Sequence, residues 1–382
     1  FNPEEADYFY MPLYTSCFIF PIHCWADGPW WHTPSGPRVM HVTNMMIEAR
    51  DWVRAHFPWW DRRGGKDHIW LMTHDEGACY APTDIFKSSI FLTHWGRLDA
   101  NHRSNTAFTP DNYTQEWKHP VDQPIGWLHL IEGHPCYDPK KDLVIPSLKM
   151  PHTWHWSPLA AAPRQKRSLL LFFRGDVGKH RLEWYSRGIR QKLYKLAVGG
   201  GWEQKYNIRI GGGEDIQGDY SLILASSRYC AVLPGDGWSA RMEDAVLHAC
   251  VPVIIMDNVH AVYESILDID QFSIRVAEKQ LADLPHILQS VPHEKIRRMQ
   301  RRMARVWHRY FWASGPYAAA NIERLHSTLY KESSRTIHNP KFQGNGTFRG
   351  LGHLKPLPSW PYHDDAFSTI MQWLYSRIPD TR

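Results

Sequence analysis

The stretch Tyr229–Asp257, YCAVLPGDGWSARMEDAVLHACVPVIIMD, decides the fold. Two apolar runs, Tyr229–Leu233 and Val251–Met256, have the length and composition of buried parallel strands. A proline and two glycines end the first run, and Ala240–Ala249 between the runs has a helical pattern. The stretch therefore predicts one strand, loop, helix, strand unit of a parallel α/β sheet.

The loop of this unit offers groups that could bind a phosphate and a sugar. A turn at Gly235 and Gly237 that opens onto a helix N-terminus favours an anion, because free N–H groups and the helix dipole point there. Ser239 is the expected N-cap. Arg241 can fork onto a phosphate, and Asp244, on the same helix face, can accept hydrogen bonds from sugar hydroxyls. A surface ion pair between Arg241 and Asp244, which would contribute little, remains the alternative on spacing alone.

Several motifs, in order along the chain, resemble the exostosin family of glycosyltransferases. The family pattern is roughly P-G-D-x-x-S-x-R-x-x-[DE]-A followed by C-[IV]-P-V, and this chain has PGDGWSARMEDA and CVPV, with Ala249 where the family usually has glycine. The other matching motifs are PEEADYFYMPLY at 3–14, GGKDHIWLMTHDEG at 64–77, SLLLFFRGDVG at 168–178 and SILDIDQFSIRV at 265–276. The resemblance covers most of residues 3–290.

Composition and element order predict an α/β enzyme. The 382 residues are 43% hydrophobic and 13% aromatic, which is enough for a substantial core. Further elements are expected as strands at Asp7–Tyr14, Ile69–Thr73, Ser89–Thr93, Leu143–Ile145, 168–173 and 206–210, and as helices at Val39–His56, 183–197 and 218–227. This alternation predicts two facing, doubly wound, Rossmann-like sheets, the GT-B architecture, which bind ligands beyond the carboxyl ends of their strands.

The expected domains are an acceptor-side domain at 1–160, a nucleotide-sugar domain at 161–315, and a C-terminal loop and helix at 316–382 that packs back on the first domain. The proline-rich segment 151–167 is the expected linker, and 95–127 reads as a loop excursion. The resemblance further implies that the N-terminal part of the first domain, and a membrane anchor before it, are missing from this chain. The expected location is the Golgi lumen.

The resemblance implies an inverting glycosyltransferase. It would move a sugar from a nucleotide-diphosphate sugar, with a UDP-sugar the expected donor, to a hydroxyl of a glycan or glycoprotein. In the GT-B architecture basic side chains stabilise the leaving diphosphate, so neither a metal nor another cofactor is expected. Asp268 and Asp270 formally match a D-x-D metal motif, but they fall in a family loop and are not taken as ligands. The expected donor-binding residues are Arg174, Gly175, Gly237, Ser239, Arg241 and Asp244.

An inverting reaction needs one base within reach of the acceptor hydroxyl. The loop after the strand Ile69–Thr73 carries His74, Asp75 and Glu76 at a carboxyl end. Asp75 is the expected base, with His74 and Glu76 as substitutes. The alternative that Asp75 only caps a turn stays open, and the missing N-terminal piece could also hold the base.

Two other classes of function remain open. The first is a catalytically inactive, exostosin-like glycan-binding subunit of a heteromeric transferase. The second is an RNA- or membrane-associated protein that uses the basic segment 295–311. We prefer to interpret Leu284–Phe311 as a helix with a solvated basic face and a buried stripe of Ile296, Met299, Met303 and Val306 or Trp307. The net charge of +5 suits an anionic donor, so no nucleic acid is expected as a partner. A homo- or heterodimer with a related transferase is compatible with the resemblance.

The six cysteines are compatible with disulfides or buried thiols. Cys17 lies near Cys24 in sequence, and Cys79 and Cys136 share the N-terminal half, so both pairs admit a disulfide. Cys230 and Cys250 begin predicted buried strands and are interpreted as core thiols.

Overall fold

The computed structural model describes residues 2–17, 32–33, 36–102, 128–160, 162–312 and 365–382. In the first half the strands and α-helices are β1 (Phe9–Met11), β2 (His32–Thr33), β3 (Gly36–Pro37), α1 (Arg38–His56), α2 (Trp59–Arg63), β4 (His68–Met72), α3 (Thr83–Ser88), β5 (Ile90–Thr93), β6 (Gly96–Arg97) and β7 (Leu143–Val144). In the second half they are β8 (Leu169–Arg174), α4 (Ile189–Gly199), α5 (Trp202–Tyr206), β9 (Ile208–Gly211), α6 (Tyr220–Ala225), β10 (Ser227–Val232), α7 (Arg241–Leu247), β11 (Val251–Ile254), β12 (Val259–His260), β13 (Ile274–Arg275), α8 (Leu284–Gln289), α9 (His293–Val306) and α10 (Ala366–Thr381).

Two parallel sheets form the framework of the molecule. The first has the strand order β1-β4-β5-β7 and the second has the order β13-β11-β10-β8-β9. All neighbouring strands in both sheets are parallel. The strands are apolar along nearly their whole length because both faces of such a sheet are covered. The prediction of two parallel α/β sheets is confirmed.

A short antiparallel pair joins the two halves. Strand β6 from the first half pairs with β12 from the second, with His260 opposite Gly96. A Cβ at Gly96 would lie 2.3 Å from the carbonyl oxygen of His260, so glycine is required for this approach. One buried apolar cluster also includes side chains from both sheets, such as Leu92 and Val253. The halves therefore share a continuous core.

The C-terminal helix α10 contacts both halves. On the first half, the Tyr8 hydroxyl donates to the Leu374 carbonyl at 2.7 Å, and Arg382 pairs with Asp7 at 2.7 Å. On the second half, the Tyr263 hydroxyl donates to the Ala366 carbonyl at 3.1 Å. The helix begins after Asp365, whose carboxylate caps it. The helix predicted within 316–382 is confirmed as α10, and the predicted domain boundaries at 160 and 315 stay predictions.

Some predicted element boundaries are wrong for local reasons. The expected helix at 183–197 has its regular part only in α4, because Ser186, Arg187 and Gly188 have positive φ values of 53°, 55° and 76°. The expected strand at Asp7–Tyr14 contracts to β1. The expected loop at 95–127 contains β6 within its described part, while residues 103–127 lie outside the described residues.

The basic segment lies on a helix with one buried stripe, as predicted. Helix α9 buries Ile296, Met299 and Met303, and Trp307 follows it with 2% exposure. The expected continuous helix Leu284–Phe311 is broken instead between α8 and α9 by the turn at 290–292, where Pro292 precedes α9. No helix among the described residues is apolar over a length that would cross a membrane.

The cysteines form two disulfides within the described residues. Cys79 is bonded to Cys136, as the sequence allowed. Cys230 is bonded to Cys250, so their interpretation as core thiols is wrong. The chain reverses after α7 and brings their Cα atoms to 5.7 Å, within bridging range. Cys17 is a free, exposed thiol, and its suggested partner Cys24 lies outside the described residues.

Candidate active site

Loops at the carboxyl ends of β4 and β10 contact each other directly. The first contains Asp75, and the second runs through Gly237 and Trp238. The backbone N–H of Trp238 donates to the carbonyl oxygen of Asp75 at 2.6 Å. A Cβ at Gly237 would lie 2.1 Å from the same oxygen, so only glycine permits this approach. The loop predicted to hold the base and the loop predicted to hold the donor therefore touch through their main chains. His94, Trp238 and Ser239 line a small cleft beside this contact.

The three predicted catalytic residues differ in their exposure. The Asp75 side chain is exposed, whereas Glu76 is 6% exposed. The Nδ1 atom of His74 accepts a hydrogen bond from the Glu76 backbone N–H at 3.3 Å and lies 3.8 Å from Glu76 Oε2. Asp75 is thus the most exposed of the three, since the side chains of His74 and Glu76 are only 13% and 8% exposed.

His94, at the end of β5, is a residue of this cleft that the sequence did not suggest. Its Nδ1 lies 3.1 Å from the Thr73 carbonyl oxygen, and its ring lies 4.7 Å from the Trp238 ring. Burial lowers the pKa of His94 to about 4. The imidazole is therefore neutral near pH 7. Its proton sits on Nδ1, because the carbonyl can only accept a hydrogen bond.

Arg241 opens α7 and keeps part of its guanidinium accessible. Its Nη1 donates to Asp244 Oδ2 at 3.0 Å and its Nη2 donates to the Arg174 carbonyl at 3.1 Å. The guanidinium carbon lies 5.7 Å from the ring centroids of Phe173 and Tyr220. The side chain is 24% exposed, and Nε has no hydrogen-bond partner among the described residues. The two hydrogen bonds hold the guanidinium in a fixed orientation, and Nε is a buried atom.

Asp244 is buried and has three partners. Lys149 Nζ lies 2.5 Å from Oδ1, while Arg241 and the Tyr220 hydroxyl each donate to Oδ2 at 3.0 Å. Burial favours a raised pKa, but the charges of Lys149 and Arg241 outweigh it and lower the pKa of Asp244. The carboxylate is therefore ionised and occupied in this structure. Its expected role as an acceptor for sugar hydroxyls stays a prediction.

Arg174 and Gly175 lie beside Arg241, at the end of β8. The Arg174 side chain donates to the Gly218 carbonyl at 2.8 Å, and its guanidinium carbon lies 4.8 Å from the Tyr220 ring centroid. A Cβ at Gly175 would lie 2.8 Å from Arg241 Nη2, so glycine makes room for the guanidinium. The structure thus brings the predicted donor-binding residues of two loops together.

The expected N-cap role of Ser239 is wrong. Its hydroxyl donates back to the Leu233 carbonyl at 2.5 Å, and α7 begins two residues later with Ala240 at the N-cap position. The loop curls on itself, since the Gly235 N–H donates to the Gly237 carbonyl at 2.9 Å. This turn places Ser239 beside the end of β10 instead of at the start of the helix.

Arg190, on α4, is a buried cation beneath the donor loop. Its Nη1 donates to the Tyr185 hydroxyl at 2.7 Å, and Nη2 lies 3.4 Å from the Leu233 carbonyl oxygen. Burial lowers the pKa of this guanidinium. No sequence motif pointed to it, because an arginine in a helical pattern ordinarily faces solvent.

Among the described residues, one group of side chains has the spacing of metal ligands. Cys79, His102 and Cys136 place their ligand atoms within 4.8 Å of one another. Both sulfurs are joined in a disulfide, so neither is a thiolate. Asp268 and Asp270 precede β13, an edge strand of the second sheet, whereas the donor loop follows the central strand β10. Neither group fits a metal at the cleft.

The sequence that forms these loops matches a known family. The family model described as the Exostosin GT47 domain matches residues 1–291. The chain belongs to the exostosin GT47 family. The donor segment that suggested this family from sequence lies within that match.

Relatives of this exostosin GT47 chain occur among plant proteins. A probable glucuronosyltransferase of Oryza sativa subsp. japonica is 27% identical over 76% of this chain and 59% of its own length. A second one from the same species is 28% identical over 100% of this chain and 77% of its own length. A probable beta-1,4-xylosyltransferase of Arabidopsis thaliana is 28% identical over 79% of this chain and 63% of its own length. The exostosin GT47 chain thus spans only part of the length of these relatives.

Two solved structures are weakly similar to the exostosin GT47 chain. One is the pneumococcal O-GlcNAc transferase GtfA in complex with UDP and GlcNAc, with 12% identity, a TM-score of 0.35, and coverage of 73% of this chain and 59% of GtfA. The other is TarM, with 8% identity, a TM-score of 0.35, and coverage of 76% and 58%. The two-sheet architecture rests on the strand order above.

Proposed function

We propose that this chain is an inverting glycosyltransferase that moves a sugar from a UDP-sugar to a hydroxyl of a glycan or glycoprotein acceptor. The observation that supports the proposal is the hydrogen bond from Trp238 to Asp75, because it joins the loop predicted to supply the base to the loop that precedes Arg241. One loop then supplies a base and the other supplies cationic groups, which are the two requirements of this reaction.

The donor half of the reaction is assigned to the second sheet. Arg241 and Arg174 would bind the diphosphate, and Gly175 gives Arg241 the space to do so. Charge-assisted hydrogen bonds from a guanidinium to phosphate oxygens are among the strong ones in proteins. As the bond between the anomeric carbon and the diphosphate oxygen breaks, these cations stabilise the negative charge that the leaving group takes. The proposal needs no metal ion in this step.

The acceptor half is assigned to the first sheet. The Asp75 carboxylate would take the proton of the acceptor hydroxyl while the hydroxyl oxygen attacks the anomeric carbon. Attack from the face opposite the diphosphate inverts the configuration. His74 and Glu76 lie in the same loop and are the alternative bases.

The two disulfides favour an oxidising compartment, because such bonds are rare in the cytosol. We therefore place the working protein in the Golgi lumen as part of the proposal. Glucuronosyl and xylosyl transfer, after which the relatives are named, are the donor chemistries to examine first.

The test is release of UDP by the purified chain. UDP-glucuronate and UDP-xylose are supplied with and without xylan oligosaccharides, and the anomeric configuration of the product is read by NMR. Release that depends on the acceptor, with a product of inverted configuration, supports the proposal. UDP binding without turnover on any donor would favour an inactive glycan-binding subunit instead.

A further inference from the structure

Glu243 and Asp244 are adjacent carboxylates on α7, and both are buried, with 0% and 2% exposure. A buried carboxylate is costly unless donors or cations compensate it. Here the compensation comes from another part of the chain, the stretch at 147–149 that follows β7 of the first sheet.

Each of the two carboxylates is held by a different residue of this stretch. The backbone N–H and the hydroxyl of Ser147 donate to Glu243 Oε1 at 2.7 and 3.0 Å. Lys149 Nζ lies 2.5 Å from Asp244 Oδ1, and the lysine side chain is 14% exposed. The stretch from the first half is thus attached to the helix that begins with Arg241.

The lysine contact extends to the donor site through a single carboxylate. Asp244 binds Lys149 with Oδ1 and Arg241 with Oδ2. Arg241 and Asp244 alone would form a neutral pair. With Lys149 added, two cations share the Asp244 carboxylate, and these three groups keep one formal positive charge. Glu243 is outside this count, since its hydrogen bonds come from Ser147 and burial raises its pKa. An anionic diphosphate is attracted by that remaining charge.

We propose that Lys149 is a positioning residue that fixes Asp244 and lets Arg241 present its charge to the donor diphosphate. The inference rests on the proposed function, since it takes the ligand of Arg241 to be a nucleotide diphosphate. Lys149 does not itself have to touch the ligand. It acts because Asp244 is buried and has only two oxygens to distribute among its partners.

The test is UDP binding by calorimetry with the full chain carrying Lys149→Gln. We expect affinity to fall about tenfold, which corresponds to about 1.4 kcal/mol. The KM for the donor should rise, while the KM for the acceptor stays unchanged. Lys149→Arg, which keeps the charge, should retain most of the affinity. The control is Lys192→Gln, which removes an exposed charge on α4 of the same half and should change nothing.

Several outcomes would overturn the role of Lys149. They are unchanged UDP affinity in folded Lys149→Gln, an equal loss in Lys192→Gln, or an equal loss in Lys149→Arg. If Lys149→Gln does not fold, Lys149→Met keeps the apolar stem and gives the same comparison. A wild-type chain that does not bind UDP would overturn the donor assignment as well. If Arg241→Ala lowers the affinity for UDP and Lys149→Gln does not, the role of Lys149 is overturned while the donor assignment stands.

Discussion

The backbone nitrogen of Trp238 lies 2.6 Å from the carbonyl oxygen of Asp75, and this hydrogen bond joins the two halves of the molecule at the cleft. The bond uses main-chain atoms only, so side-chain substitutions leave its groups in place. What they can change is the space around it, and Gly237 lies at the point of closest approach.

Gly237→Ala should therefore separate the loops. The new Cβ would meet the Asp75 carbonyl oxygen at 2.1 Å, which is main chain and cannot rotate away. Overpacking of this kind costs about 1–3 kcal/mol. We expect a lower Tm and a large loss of turnover. Gly213→Ala is the matched control, because a Cβ there meets nothing within 4 Å. Full activity in Gly237→Ala would show that the close contact is not needed.

Asp75→Asn tests the base. The amide keeps the size of the side chain but cannot take a proton, so turnover should fall by about 10²–10⁴ with UDP affinity nearly unchanged. Asp61→Asn alters an exposed carboxylate of the same half that pairs with Arg54, and should be silent. Normal turnover in Asp75→Asn would direct the search to Glu76 or His74. Lost UDP binding would mean that this loop belongs to the donor site.

Arg241→Ala should weaken UDP binding and abolish transfer. The substitution removes the proposed charge-assisted contact between the guanidinium and the diphosphate, which is worth about 1.5–3 kcal/mol. Arg209→Ala removes an arginine of the same half whose partner is Glu203 and serves as the control. Calorimetry that gives equal UDP affinity in the folded Arg241→Ala and wild-type proteins would refute the donor assignment.

Transfer should persist in EDTA, because the leaving diphosphate is stabilised by arginines in the proposed mechanism. The assay compares UDP release before and after chelation, with added manganese as the second arm. Complete loss that manganese restores would contradict the metal-free mechanism and return attention to Asp268 and Asp270.

Stability should fall as the pH drops from about 6.5 to about 4. Burial lowers the pKa of His94, His102 and His248 to about 4 each. In this window the unfolded chain binds protons that the folded chain excludes, so folding weakens by up to about 1.4 kcal/mol per pH unit and per histidine. Urea unfolding at pH 7 and pH 5 measures the effect. His248→Gln should reduce the difference in the free energy of unfolding between the two pH values. His56→Gln, at an exposed position, should not change it. If the free energy of unfolding of His248→Gln falls as steeply with pH as that of the wild type, the pH dependence does not come from buried His248.

The sequence predicted the framework well because the signal was local. Apolar runs such as Ile90–Thr93 can be recognised without knowing their neighbours, and parallel strands align their carboxyl ends. That rule put the loop at Asp75 and the loop at Gly237 at the carboxyl ends of their strands, where such sheets bind ligands.

The partners of the site could not be predicted, because they are distant in sequence. Lys149 reaches Asp244 only after the two halves pack, and no spacing rule connects them. Ser239 was assigned to the wrong bond because a hydroxyl can either donate or accept, and the fold of its loop decides which. Cys230 and Cys250 approach each other because β10 pairs with β11, with Tyr229 opposite Val251.

At Ala249, the one departure from the family motif, the backbone has a conformation that favours glycine. Its φ of 51° lies in the left-handed region, where glycine is favoured and alanine is strained. The left-handed backbone at this position is thus a conformational reason for the family's glycine.

The antiparallel pairing of β6 with β12 has a consequence for engineering. A chimaera that takes its first half from one relative and its second half from another would have to match two strands across the seam, together with the glycine at position 96 that lets them approach. In such a chimaera β6, β12 and the helix α10 that contacts both halves should therefore be exchanged together, as one cassette.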